Sequence, residues 1–229
     1  MTERTRRATA PARTLRERKT FDPDCTRCPR LASFLAETHQ RYPEYWSRPV
    51  PWFGVDAPRI LIVGLAPGMH GANRSGRPFT GDFAGILLYA TLHKYGLATR
   101  PVSVAADDPL KLRNARITNA VKCLPPENKP LPDEIRRCNT YLQTEMAELK
   151  SVRVVFALGR IAHDAVLMAT GEKRGNFPFG HAREHVLGEG RHLIDSYHCS
   201  RYNTQTRRLT TEMFEAVVAR ACELAGLVK

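Results

Sequence analysis

A chain of 229 residues with 35 Lys and Arg against 23 Asp and Glu carries a formal charge of +12. That length supports one substantial core rather than two independent ones, and the cationic excess points to a polyanionic partner, nucleic acid first. No apolar run is long enough to span a membrane and no segment reads as a secretory leader, so a membrane partner is excluded and the cytoplasm is the expected compartment.

In chain order, residues 1–20 hold six arginines and one lysine against Glu3 and Glu17, with little to bury. They read as a disordered basic tail, leaving 21–229 as a single domain. Without the tail's five net positive charges the remainder is still at +7. Segment 31–40 reads as a helix. Residues 59–63, Arg-Ile-Leu-Ile-Val, have the β-branched apolar character of a buried parallel strand. A glycine-rich loop follows and launches a helix over 83–95. A second strand over 115–118 ends at Asn119 and runs into the loop Leu124-Pro-Pro-Glu-Asn-Lys-Pro-Leu-Pro. Asp133 is the expected N-cap of a helix reaching 149. A strand over 152–158, a helix over 161–169, a strand over 192–196 and a closing helix over 209–227 complete the pattern. Alternating strands and helices predict an α/β fold with a parallel sheet covered on both faces. The loops at 64–82, 119–132, 159–160 and 197–206 then share one rim, at the strands' carboxyl ends.

The loop Gly64-Leu-Ala-Pro-Gly-Met-His-Gly-Ala-Asn-Arg-Ser-Gly-Arg-Pro-Phe-Thr-Gly-Asp holds five glycines, which bring backbone amides close to a ligand. It also carries His70, Arg74, Arg77, Phe79 and Asp82. No Gly-Lys-Ser/Thr follows, so it is not a P-loop. Phe79 and Asp82 suit a flat, uncharged group held near a phosphodiester backbone. Asp82 fits an N-cap of the following helix equally well. Of six cysteines, Cys25 and Cys28 form a Cys-x-x-Cys pair, and Cys123 and Cys138 are separated by fourteen residues. Four such thiols suit zinc or an iron–sulfur cluster, and the spread second pair favours the larger 4Fe–4S group. Cys199 and Cys222 lack partner spacing, and Cys222 reads as a small core residue.

Four ordered motifs carry a resemblance over roughly 25–227: Cys-x-x-Cys-Pro, the glycine loop through Asp82, Cys-x-Pro-Pro-x-Asn-Lys-Pro, and His-x-Ser-Arg-x-Asn-Thr-Gln-Thr. Together they resemble the family 5 (type-B) uracil-DNA glycosylases. The resemblance implies a three-layer α/β/α sandwich with a central four-stranded parallel sheet, and a 4Fe–4S cluster on Cys25, Cys28, Cys123 and Cys138. It also implies base excision from DNA. Ala66 stands where much of the superfamily has a polar residue. Catalysis therefore falls to Asp82 against the sugar cation and His198 against the leaving base, with Asn128 positioning water or the extruded nucleotide. Gly64, Ala66, His70, Phe79 and Asn119 are expected at the base, with Phe79 stacking on it and Asn119 reading its edge. Arg74, Arg77, Ser200, Arg201, Tyr202 and Asn203 are expected at the DNA, Arg201 and Tyr202 as wedges. The expected partner is double- or single-stranded DNA with deaminated bases (uracil, hypoxanthine, xanthine or ethenocytosine), bound by a monomer. A non-catalytic iron–sulfur DNA-binding module of the same fold is the alternative.

Overall fold

A computed structural model describes residues 20–227. The basic tail expected at 1–20 lies outside them except for Thr20, which is buried. The β-branched runs form strands β2 (Ile60–Gly64), β3 (Ala115–Asn119), β4 (Val154–Leu158) and β6 (His192–Ser196), which pair in parallel in the order β3-β2-β4-β6. The sheet has six strands rather than the four expected. Two short edge strands, β1 (Phe53–Gly54) on β3 and β5 (Glu184–Val186) on β6, add antiparallel pairs. They are two and three residues long, too short to show alternation in sequence.

Helices α1 (Pro29–Arg41), α2 (Ala72–Ser75), α3 (Phe83–Lys94), α4 (Pro132–Glu148), α5 (Arg160–Thr170), α6 (Arg201–Gln205) and α7 (Thr211–Leu224) complete the described elements with three 3-10 turns. Strand alternation divides the core. Ile60, Ile62, Ile117, Phe156 and Ile194 pack with Leu88, Tyr89 and Leu92 of α3 and Phe214 and Val217 of α7. Leu61, Val63, Val155 and Leu193 pack with Leu142 and Met146 of α4 and Ala162 and Val166 of α5. Each large aliphatic removed from water contributes roughly 2 kcal/mol. None of the described helices is long and apolar enough to cross a membrane.

Helix α4 begins two residues earlier than expected. Pro132 fixes a helical φ at the first position, and Glu134 Oε2 accepts the Leu131 N–H at 2.7 Å, so Leu131 rather than Asp133 is the cap. Glu145 of α4, fully buried, accepts from Thr118 Oγ1 at 2.9 Å and lies 3.5 Å from Arg116 and 3.6 Å from Lys122. This charge network ties α4 to β3 at Arg116 and Thr118, the latter next to Asn119 in the chain.

On α5, His163 Nδ1 lies 2.8 Å from Asp195 Oδ1 and Nε2 lies 2.8 Å from the Phe177 carbonyl, with the His163 and Asp195 side chains buried. Both ring nitrogens face acceptors, so the imidazolium is the matching form. Burial works to lower the His163 pKa, but the Asp195 carboxylate outweighs it and the net shift is upward. The stabilisation is therefore complete below the unfolded value near 6.5 and is lost as pH rises through the higher folded value. His163→Gln is expected to cost about 1.5–3 kcal/mol at mildly acidic pH and less in alkali. Urea unfolding of both proteins across pH checks this, and a gap that widens with pH refutes it.

Candidate active site

A cavity of about 340 Å³ opens at the carboxyl ends of β2, β3 and β6, lined by Leu65, Ala66, Gly68, Ala72, Phe79, Asp82, Ala84, Asn119, Asn128, His198 and Ser200. The glycines explain how the loop packs around it. Gly64 pairs with Asn119 across β2 and β3, and a Cβ there would strike Asn119 Oδ1 and the Phe79 ring. A side chain at Gly71 would occupy the position of the Asp82 carboxylate. Gly64 thus leaves room for two cavity groups without lining the cavity itself.

Asp82 serves as both cap and cavity carboxylate. Its Oδ1 accepts the Gly85 N–H at 2.8 Å and caps α3, while the side chain borders the cavity. Burial raises its pKa, and the Gly85 hydrogen bond only partly opposes this. His198 follows β6, with its carbonyl accepting from Asn203 Nδ2 at 2.8 Å. Its ring stacks against Phe79 with centroids 5.9 Å apart. Desolvation lowers its pKa to about 4, so the imidazole is neutral near pH 7 and offers one N–H. Phe79 is buried in the core and also faces the cavity, at a left-handed φ of 54° that bulky residues seldom adopt. Asn119 is 3% exposed, and its Oδ1 has no hydrogen-bond partner. A buried, unpaired amide oxygen on a residue that lines a cavity is an acceptor awaiting a donor. Asn128 reaches the mouth from a 3-10 turn, at φ 57°.

Ala66 lines the cavity without a polar group, and Ser200 lines it while capping α6 through the Asn203 N–H at 3.4 Å. Arg201 lies over the Phe83 ring at 5.0 Å, and Tyr202 is 70% exposed beside it. Arg74 is exposed against Gly81. Besides Gly64, two expectations fail. Arg77 does not face DNA: it is 4% exposed, pairs with Asp108 at 2.7 Å and donates to Thr80, Ser103 and the Ala106 carbonyl. Its guanidinium braces the loop instead. His70 is exposed, hydrogen-bonded to Tyr45 at 2.9 Å and outside the cavity lining. Leu65, Ala72 and Ala84, apolar lining residues, were not singled out from sequence, since nothing distinguishes them from core.

Cys25, Cys28, Cys123 and Cys138 converge on a second cavity with Leu31, Val121 and Tyr141. Burial pushes the Cys28, Cys123 and Cys138 thiols up. At Cys25 burial is outweighed by hydrogen bonds with Tyr141 and Arg27, and the net shift is downward. The Lys122 N–H donates to Cys138 Sγ at 3.3 Å. Among the described residues, donors converging within 4.8 Å come from His163, His185 and Asp195, and the four thiols form no such tight group. Four thiols around one cavity are a donor set that fits an iron–sulfur cluster or a zinc ion. Cys199 and Cys222 are buried in the main core.

A family model for the uracil DNA glycosylase superfamily matches residues 51–222. The chain is 50% identical over 208 residues to the type-5 uracil-DNA glycosylase of Thermus thermophilus, covering 89% of this chain and 94% of that protein. It is 43% identical over 211 residues to that of Mycobacterium tuberculosis, covering 89% and 79%. For the type-5 enzyme of Pyrobaculum aerophilum the identity is 42% over 207 residues, covering 89% and 90%.

Proposed function

The chain belongs to the uracil DNA glycosylase superfamily, and we infer that it is a DNA-repair enzyme that hydrolyses the N-glycosidic bond of uracil in DNA. The observation that carries this reading is the placement of a carboxylate, a neutral imidazole, a phenyl ring and an unpaired buried amide oxygen around one cavity. Excision breaks the bond between the sugar C1′ and base N1. Water adds its oxygen to C1′, and the bonding electrons leave with the base. Positive charge grows on the sugar and negative charge on the uracil oxygens, so groups matched to each lower the barrier. Asp82 faces the sugar, opposes its cation and accepts a proton from the attacking water. His198, being neutral, donates its N–H to the developing oxyanion without transferring the proton. Asn119 Oδ1 accepts from the uracil N3–H, Phe79 gives the ring a face to stack on, and Asn128 orients water or the extruded nucleotide at the mouth.

Cys25, Cys28, Cys123 and Cys138 hold a 4Fe–4S cluster in this reading, with Cys123 in the loop between Asn119 and Asn128. Such a cluster contributes a covalent tie between the N-terminal segment, this loop and α4. In this reading the protein acts as a monomer on single- or double-stranded DNA. With Ala66 adding no polar discrimination, hypoxanthine, xanthine and ethenocytosine join uracil as substrates. Four parallel strands between two helical layers, in a single domain over 21–229, fit the three-layer sandwich of this reading. The test is single-turnover excision on duplexes carrying one lesion each. Uracil is expected to be released to an abasic site, and intact strands with every lesion would leave only a non-catalytic DNA-binding module.

A further inference from the structure

Among the described residues, the strongly exposed large apolar side chains are Ile86, Val102, Val104, Leu131, Val186 and Tyr202. Three of them stand beside the chain neighbours of Asp82. On one side, the Gly81 N–H donates to the Ser103 carbonyl at 3.0 Å, which brings the loop bearing Val102 and Val104 against the catalytic loop. On the other, Arg201 lies over Phe83, which brings α6 and Tyr202 to the same rim. Asp82 lies in the chain between Gly81 and Phe83, the two residues that make these contacts.

The loop over 99–110 is built to hold its valines outward. Val102 and Val104 are each 60% exposed, while Ser103 between them is 8% exposed. Ser103 Oγ accepts from Arg77 at 2.6 Å and shares a hydrogen bond with Thr80 at 2.7 Å. Asp108 closes the loop by accepting the Val104 N–H at 2.9 Å and the Leu110 N–H at 3.1 Å while paired with Arg77. The Arg77 brace therefore fixes the valine ridge to the segment that carries Phe79 and Asp82. Singly exposed valines are ordinary on a protein surface; this pair differs in being held by a buried brace against the segment that borders the cavity. Exposed Arg74 and Arg100 lie beside the ridge in sequence or space and suit a phosphodiester backbone.

We propose that Val102 and Val104 form a second apolar wedge, opposite Tyr202, that enters the DNA duplex at the cavity mouth and holds the target nucleotide out of the stack. The proposal rests on the glycosylase reading above, because extrusion of a base is what gives such a wedge its purpose. An apolar side chain seated in the vacated step replaces part of the lost stacking. That contribution matters where a base must leave a helix and not where the strand is already single.

The test is single-turnover excision of uracil from a U·A duplex and from the matching single strand. Val102→Ser with Val104→Ser is expected to lower the duplex-to-single-strand rate ratio about tenfold. Val102→Ile with Val104→Ile is expected to keep the wild-type ratio. Fluorescence of 2-aminopurine placed beside the uracil should report less extrusion by the serine variant. Both substitutions are at exposed positions, and a thermal midpoint confirms the fold. An unchanged ratio in the serine variant overturns the wedge while leaving the glycosylase reading intact. Wild-type protein inactive on both substrates removes the glycosylase reading itself, and the wedge with it.

Discussion

Asp82→Asn lowers the single-turnover rate of uracil excision by about 10²–10³, the loss expected when one charged transition-state partner is removed. Asparagine can still accept the Gly85 N–H and caps a helix about as well as aspartate, so α3 and the fold are retained. The substitution thus separates the two roles the residue combines. A wild-type rate would reduce Asp82 to a helix cap and leave water to Asn128 or the backbone. The pH profile adds a second readout. Burial raises the Asp82 pKa, so the working carboxylate is present above that value and the wild-type rate falls as pH drops through it. Asp82→Asn should lack that acid limb. His198 gains a proton only near pH 4, so it does not account for loss of activity at milder acidity.

What was legible in the sequence follows from the range over which each signal acts. The four β-branched runs and the helices between them depend on neighbours in the chain, and their bounds shifted by one or two residues at most ends. Asp82, His198, Phe79 and Asn119 meet at the cavity because each lies just past a strand end or in a loop leaving one, where the parallel sheet gathers its loops, and the family resemblance singled them out within those loops. Arg77 was misread because its partner Asp108 is far along the chain, and an arginine among glycines looks the same whether it meets phosphate or a buried carboxylate. The His163–Asp195 pair was missed for the same reason. Edge strands β1 and β5 carry no alternation of their own, and sheet pairing alone creates them.

Cys138→Ser should release iron from the purified protein, remove its visible charge-transfer absorption and lower the thermal midpoint by about 10 °C. That shift corresponds to several kcal/mol in a domain of this size. Cys138 is buried in the second turn of α4, accepts the Lys122 N–H and shares its cavity with three thiols from two other segments. Losing one corner frees the others, and the loop through Cys123 carries Asn119 at one end and Asn128 at the other. Excision should therefore fall as well, through base and water positioning rather than through Asp82, whose loop is braced independently by Arg77. Cys222→Ala is the control: it removes a buried core sulfur far from the four-thiol cavity, costs stability by packing alone, and should leave iron content unchanged. Metal analysis of both variants and the wild type, prepared without oxygen, decides the matter. Stoichiometric zinc without iron in the wild type would assign the four thiols to a single ion and overturn the cluster.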